Sequence, residues 1–388
     1  MVLAALYLLA VQAGQAGSAP AAAPSFDAAT FDPLVQDGMR RGAYPGGALV
    51  VGRHDTILFA KGYGHLTWSA SSPAVDPDST LYDLASLTKV VATTTALMLL
   101  VERGAVRLET TVATYLPEFR GAGTADITVR QLLTHTSGLR ADIPDPELKA
   151  IPDSAALMAR VLRESPRIAP GTRVIYSDLN AILLGEVIRR VTGEPLDAFA
   201  AREIFTPLGL HQTVFRPPAR WRARIAPTGV WHGHPVSGSV NDGSAFKLRG
   251  VSGNAGLFST AADLARFAQF MLREGQLAGG GRLVSAETVR RFTAKAADFG
   301  HGAEARALGW QALPTGEQVS SAGTLFGPRS YGHTEWTGTS LWIDPDRDLF
   351  VVLLTNRAYV PRARRPFTVL KQVRAAVSDA AARAADAP

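Results

Sequence analysis

The chain has 388 residues and no cysteine. That absence excludes disulfides, a thiolate nucleophile, thiolate metal sites and a bacterial lipid-anchor cysteine. It leaves the compartment open, since exported proteins can also lack cysteine. Long apolar runs are missing too. Val2 to Val11 is apolar over only about ten residues, too short to cross a bilayer, and no other stretch is apolar enough. There is no long block of like charge; 19% of residues are charged and 46% hydrophobic, a globular composition that can build a large core. The net charge of +6 is carried mostly by arginine. The clusters Arg216 to Arg224 and Arg362 to Arg365 carry interspersed prolines and little aromatic interleaving, and no zinc-finger spacing accompanies them, so a solvated surface is expected and nucleic acid is not. No Gly-x-Ser-x-Gly, Walker loop or dinucleotide fingerprint is present, which disfavours an α/β-hydrolase and a nucleotide enzyme.

What is present is Ser86-Leu87-Thr88-Lys89, followed by the apolar run Val90 to Val101. Positions three apart share one helix face. A helix starting here therefore sets the Ser86 hydroxyl beside the Lys89 amine near a positive helix end. A serine hydroxyl becomes a useful nucleophile when a neighbour takes its proton, and a buried lysine can do so if its pKa falls. Ser86 could equally be a plain helix cap. A second copy, Ser244-Ala245-Phe246-Lys247, lies in polar, glycine-flanked, loop-like sequence, so the first is preferred.

In chain order, residues 1–24 pair the short apolar run with an Ala/Gly/Ser-rich stretch and read as a secretory leader without the usual basic start. Export to the periplasm or medium is the expectation. Phe26 to Gly42 has helical spacing, and Gly46 to Gly52 with Thr56 to Tyr63 reads as a hairpin. Residues 86–210 are mostly helical. His135-Thr136-Ser137-Gly138 reads as a helix end, with Gly138 left-handed, rather than as catalytic. Residues 216–252 lack periodicity and read as a long loop. His232-Gly233-His234 has no third ligand at a fitting offset, so no metal is expected. Ser252-Gly253-Asn254 reads as structural. Ser259-Thr260 caps a helix over 261–274. Strands are expected at 308–313, 330–337, 340–344 and 349–355, and a closing helix at 366–385. Strands at both ends around central helices predict an α/β (α+β) fold with one antiparallel sheet. The expected parts are a sheet domain from 25–85 plus 255–388 and a mainly helical domain, 86–254, with the active site between them.

Three stretches fall in order: Ser86-Leu87-Thr88-Lys89, Tyr176-Ser177-Asp178 and His333-Thr334-Glu335. With their flanks at 132–139, 170–185, 255–267 and 338–356, they resemble the serine β-lactamase and penicillin-binding-protein superfamily. The branch they are most similar to holds class C β-lactamases, D-Ala-D-Ala carboxypeptidases and β-lactamase-like esterases. The resemblance runs from about Phe31 to Asn356. It implies Ser86 as the acylated nucleophile, Lys89 as general base or proton relay, and Tyr176 as the group that takes and returns the proton. It further implies an oxyanion hole from the Ser86 and Trp336 N–H groups, and Asp178, His333, Thr334 and Glu335 lining the substrate site.

Two positions depart from the family's pattern. Asp178 stands where asparagine is usual, and Glu335 where glycine is usual. Asp178 can only accept hydrogen bonds, and Glu335 crowds the strand where substrate would lie. With His333 mostly neutral at pH 7 and Asp178 and Glu335 nearby, the field reads as less welcoming to anionic substrates such as penicillins. The expectation is an exported serine hydrolase needing no cofactor or metal. Its substrate would be a small ester, a D-amino-acid peptide or, ranked lower, a β-lactam, with peptidoglycan a conceivable partner. The alternative is a catalytically weak or inactive cell-wall binding or sensing module of the same fold.

Overall fold

The computed structural model describes residues 25–300, 304–315, 320–359 and 367–387. The expected leader 1–24, the arginine cluster 362–365 and the first residue of the expected closing helix lie outside these residues. Strands in chain order are β1 (Gly46–Gly52), β2 (Ile57–Gly64), β3 (Tyr82–Asp83), β4 (Val214–Phe215), β5 (Gly229–Trp231), β6 (His234–Val236), β7 (Leu257–Ser259), β8 (Ala305–Arg306), β9 (Gln311–Ala312), β10 (Tyr331–Thr334), β11 (Ser340–Asp344) and β12 (Leu349–Thr355). Seven form one antiparallel sheet in the order β2-β1-β12-β11-β10-β9-β8, so its members come from both parts of the chain. The α/β fold with an antiparallel sheet expected from the sequence is the one observed.

Every residue of β1 and β12 is buried. A sheet covered on both faces selects continuous apolar runs rather than alternation, which is why Leu49-Val50-Val51 and Leu349 to Leu354 are unbroken. The two faces still separate with period two. Leu349, Val351 and Leu353 meet Phe31 and Val35 of helix Ala28–Arg40 and Leu370 and Val373 of helix Thr368–Asp386. Phe350, Val352 and Leu354 join the larger core, which includes Phe267 and Phe270 of helix Ala261–Leu272. Leu354→Ala is expected to destabilise the fold by about 2–5 kcal/mol, read as a lower urea midpoint; an unchanged midpoint would remove Leu354 from the core.

Three expectations need correction. The segment 216–252 is not a featureless loop. It holds a 3-10 turn over Ala219–Arg224, the β5–β6 hairpin and a short helix over Gly243–Lys247. His232 (φ 47°) and Gly233 (φ 81°) both take the left-handed conformation, which a two-residue hairpin turn needs; His-Gly is an uncommon spelling of that turn. The strand expected at 308–313 is reduced to β9. Gly309 (φ 84°) donates to the Leu133 carbonyl at 2.9 Å, which draws the chain away from the sheet. The strand expected at 330–337 ends at Thr334. Beyond it the Glu335 N–H closes a turn on the Thr339 carbonyl at 2.9 Å.

Candidate active site

Strand β3 delivers the chain to Ser86. It pairs with β7, and the buried Asp83 at its end accepts from the N–H groups of Ala85 (3.0 Å) and Asn241 (2.7 Å). Burial pushes the Asp83 carboxyl up to about 7, against the pull of those two donors. Ala85 is left-handed (φ 44°), an uncommon state for a residue with a Cβ. The chain then turns into the helix. From Lys89 to Thr94 the helix is π-wound, and α-helix follows over Thr95–Glu102. The sequence suggested a plain α-helix; π-turns are frequent at functional sites.

This turn sets the Lys89 ammonium against the Ser86 Oγ at 2.7 Å, with both side chains buried. Lys89 also donates to the Asn254 carbonyl at 3.0 Å and pairs with Asp178 at 2.6 Å. The Ser252-Gly253-Asn254 stretch thus contributes backbone. Its Gly253 carbonyl accepts from Thr93 Oγ1 at 2.8 Å. Burial alone would lower the Lys89 pKa. The Asp178 carboxylate and then Tyr176 outweigh it, so Lys89 is held as a cation above its ordinary range.

Tyr176 lies just before helix Asp178–Thr192. Its ring has the Lys89 ammonium 5.0 Å from its centroid and the Arg306 guanidinium 4.9 Å from it. Burial raises the phenol to about 12, with Lys89 pulling the other way. The hydroxyl is buried and makes no well-aligned hydrogen bond among the described residues. His135 explains why Tyr176 points here. It is left-handed (φ 57°), its Nδ1 accepts from the Ser177 N–H at 3.0 Å, and its ring lies 4.6 Å from that of Tyr176. Ser137 binds Asn180 at 2.6 Å in the same clasp. His135 and Ser137 are therefore supports beneath the tyrosine, in line with a non-catalytic reading of that loop.

Strand β10 forms the opposite wall. Among the described residues β10 pairs with β9 only at Tyr331 and Gly332, so its edge at His333 and Thr334 faces an open cavity of about 380 Å³. Ser86, Tyr176, Asp178, His333, Thr334, Glu335 and Trp336 all line it. His333 is fully buried and stays neutral, since burial, then Arg306 and Lys89, depress its pKa. Trp336 is 53% exposed at the mouth, under the Arg357 guanidinium. The Glu335 carboxylate reaches back to the Ser86 N–H at 3.3 Å.

The sequence reading missed Arg306. It is 1% exposed, lines the cavity, pairs with Glu304, and leaves its Nε and Nη1 without a hydrogen-bond partner among the described residues. No motif surrounds it, and only the fold brings it to the site. It also alters the expected charge field, because a guanidinium faces the substrate space. The second Ser-x-x-Lys, 244–247, lies on its own short helix, where Lys247 is turned to the Ile151 carbonyl.

A hydroxyl against a buried amine, a phenol beside both and an open strand edge can perform acyl transfer to serine. The fold matches the mixed α/β architecture of β-lactamase/transpeptidase-like proteins. The chain belongs to the Beta-lactamase family, whose sequence model matches residues 31–374. It is 35% identical over 356 residues to a putative D-alanyl-D-alanine carboxypeptidase of Escherichia coli K12, covering 82% of this chain and 80% of the relative. Its fold is similar to that of a penicillin-binding-protein homologue from Caulobacter crescentus, with TM-score 0.72, 22% identity, and 91% and 97% of the two chains covered. It is also similar to a family VIII carboxylesterase, with TM-score 0.68, 22% identity, and 89% and 96% covered. The protein is thus a hydrolase of the serine β-lactamase superfamily.

Proposed function

We propose that the protein is an exported peptidase that cleaves the bond before a terminal D-amino acid through an acyl-enzyme on Ser86. The observation that carries this reading is the 2.7 Å contact between Lys89 Nζ and Ser86 Oγ beneath an open strand edge. Ser86 Oγ attacks the carbonyl carbon and its proton passes to the Lys89–Tyr176 pair. That pair returns the proton to the leaving nitrogen. Water then cleaves the serine ester by the reverse proton path. The Ser86 and Trp336 N–H groups would hold the oxyanion. Asp178 keeps Lys89 charged at rest, so the pair must lose a proton before it can accept one.

Arg306 favours a leaving group that ends in a carboxylate over a neutral alcohol. Its Nε and Nη1 lack partners among the described residues, and either can give a charge-assisted hydrogen bond to a carboxylate oxygen in the cavity. The name of the Escherichia coli relative points the same way. Export rests on residues 1–24; none of the described helices is long and apolar enough to cross a membrane. The alternative, a weakly active sensing module, draws its support from Glu335 on the Ser86 N–H.

The test compares D-alanyl-D-alanine with its C-terminal amide. Wild type is expected to prefer the acid. Arg306→Met should lower kcat/KM for the acid about 100-fold while sparing the amide. Equal losses on both would remove Arg306 from carboxylate recognition. Full hydrolysis by Ser86→Ala would end the acyl-enzyme reading.

A further inference from the structure

We propose that Glu335 is a specificity-determining residue that admits acyl donors bearing a free ammonium on the carbon next to the scissile carbonyl. The inference rests on Ser86 being the nucleophile, as argued above. The Glu335 carboxylate accepts from the Ser86 N–H at 3.3 Å, the donor that a substrate carbonyl oxygen must take. The backbone beneath it is fixed. The Glu335 N–H donates to the Thr339 carbonyl at 2.9 Å, and the buried Arg374 donates to the Glu335 carbonyl at 2.8 Å and to that of Thr339 at 2.7 Å. Substrate entry must therefore displace the side chain, not the strand.

A displaced carboxylate needs a new partner. The other acidic groups of the cavity are already engaged: Asp178 with Lys89, Glu304 with Arg306, and Asp242 with the Ala245 N–H and Asn254 Nδ2. Glu335 forms no direct ion pair among the described residues; the buried Arg374 guanidinium, which holds its backbone carbonyl, acts on its carboxylate only through space. Left near the carbonyl, it would repel the negative charge that grows there in the transition state. An ammonium on the adjacent carbon lies roughly 2.7–3.6 Å from the carbonyl oxygen, depending on rotation about the bond between them. A carboxylate pushed aside by the width of one oxygen then lands beside that cation. The neutral nitrogen of an N-acyl group offers no charge to hold it there, and the carboxylate competes for the Ser86 N–H again. A separate observation points to an anionic group elsewhere on the same ligand: Arg306, which lines this cavity, is fully buried and leaves Nε and Nη1 without partners among the described residues.

The experiment measures kcat/KM of wild type, Glu335→Gly and Glu335→Gln on D-alanine p-nitroanilide and its N-acetyl derivative. A fluorophosphonate probe reports Ser86 in each, with Ser86→Ala as the labelling control. Wild type is expected to prefer the free amine about 100-fold. Glu335→Gly should raise turnover of the N-acetyl substrate about tenfold or more and bring the ratio close to one. Glu335→Gln, similar in shape but uncharged, should also lose the preference. Probe labelling in all three proteins with an unchanged ratio would overturn the role of Glu335 and leave the nucleophile standing. Absence of labelling in wild type and Glu335→Gly alike would overturn the acyl-enzyme reading and this inference with it.

Discussion

Lys89→Met is expected to lose both stability and hydrolysis, and Lys89→Met combined with Asp178→Asn to recover only the stability. Lys89 and Asp178 form an ion pair at 2.6 Å in which the lysine side chain is 3% exposed and the aspartate 18%. Removing one member strands a largely buried charge, which commonly costs about 3–5 kcal/mol. The partial exposure of Asp178 places the expected loss near the lower end, about 3 kcal/mol in a urea titration. Removing both charges leaves no stranded ion, so the double variant should return most of that loss. Activity behaves differently. Both variants lack the amine that touches Ser86 Oγ at 2.7 Å, and each should fall at least about 1000-fold in kcat/KM. A double variant that is stable and fully active would show that Lys89 handles no proton.

Asp178→Asn should raise activity at neutral pH and move the rise of the rate profile to lower pH. In the wild type, burial favours the neutral amine, but the Asp178 carboxylate and Tyr176 hold the proton on Lys89 more strongly. The phenol of Tyr176 is itself raised to about 12. If the proton acceptor is the deprotonated form of this pair, kcat/KM should climb through the alkaline range with no maximum near pH 7. Asparagine removes the charge that holds the proton on Lys89. Burial then dominates and the pKa of Lys89 falls. The expected gain is about tenfold at pH 7, with the plateau reached at lower pH. Superimposable profiles for the two proteins would refute this account. The sign for stability is fixed by the same shift. A raised lysine pKa gives stability that is complete below the unfolded value of about 10.4 and is lost only as pH climbs through the higher folded value. The wild-type ion pair should therefore contribute equally at pH 6 and pH 9.

Much of the site was legible because its motifs are local. Ser86 and Lys89 are related by one helical turn, and Tyr176 and Asp178 flank the start of one helix, so short spacings stated their neighbourhood. The sheet was legible for the same reason: Leu349 to Leu354 and Ala48 to Val51 are apolar runs bounded by turn residues. The β5–β6 hairpin went unread because its turn is spelled His232-Gly233. The early end of β10 went unread because it depends on the Glu335–Thr339 closure.

The sequence by itself determined the order of the three motifs, the sheet built from both parts of the chain and the two departures, Asp178 and Glu335. Only the tertiary structure decided what those departures do. The Asp178 carboxylate comes within 2.6 Å of Lys89, and that of Glu335 within 3.3 Å of the Ser86 N–H, from 89 and 249 positions along the chain respectively. Arg306 reaches Tyr176 from 130 positions away. Residue pattern carries local periodicity and burial, which are set by the backbone within a turn or two. Charge acts through space, and its partners are chosen only when distant segments pack together.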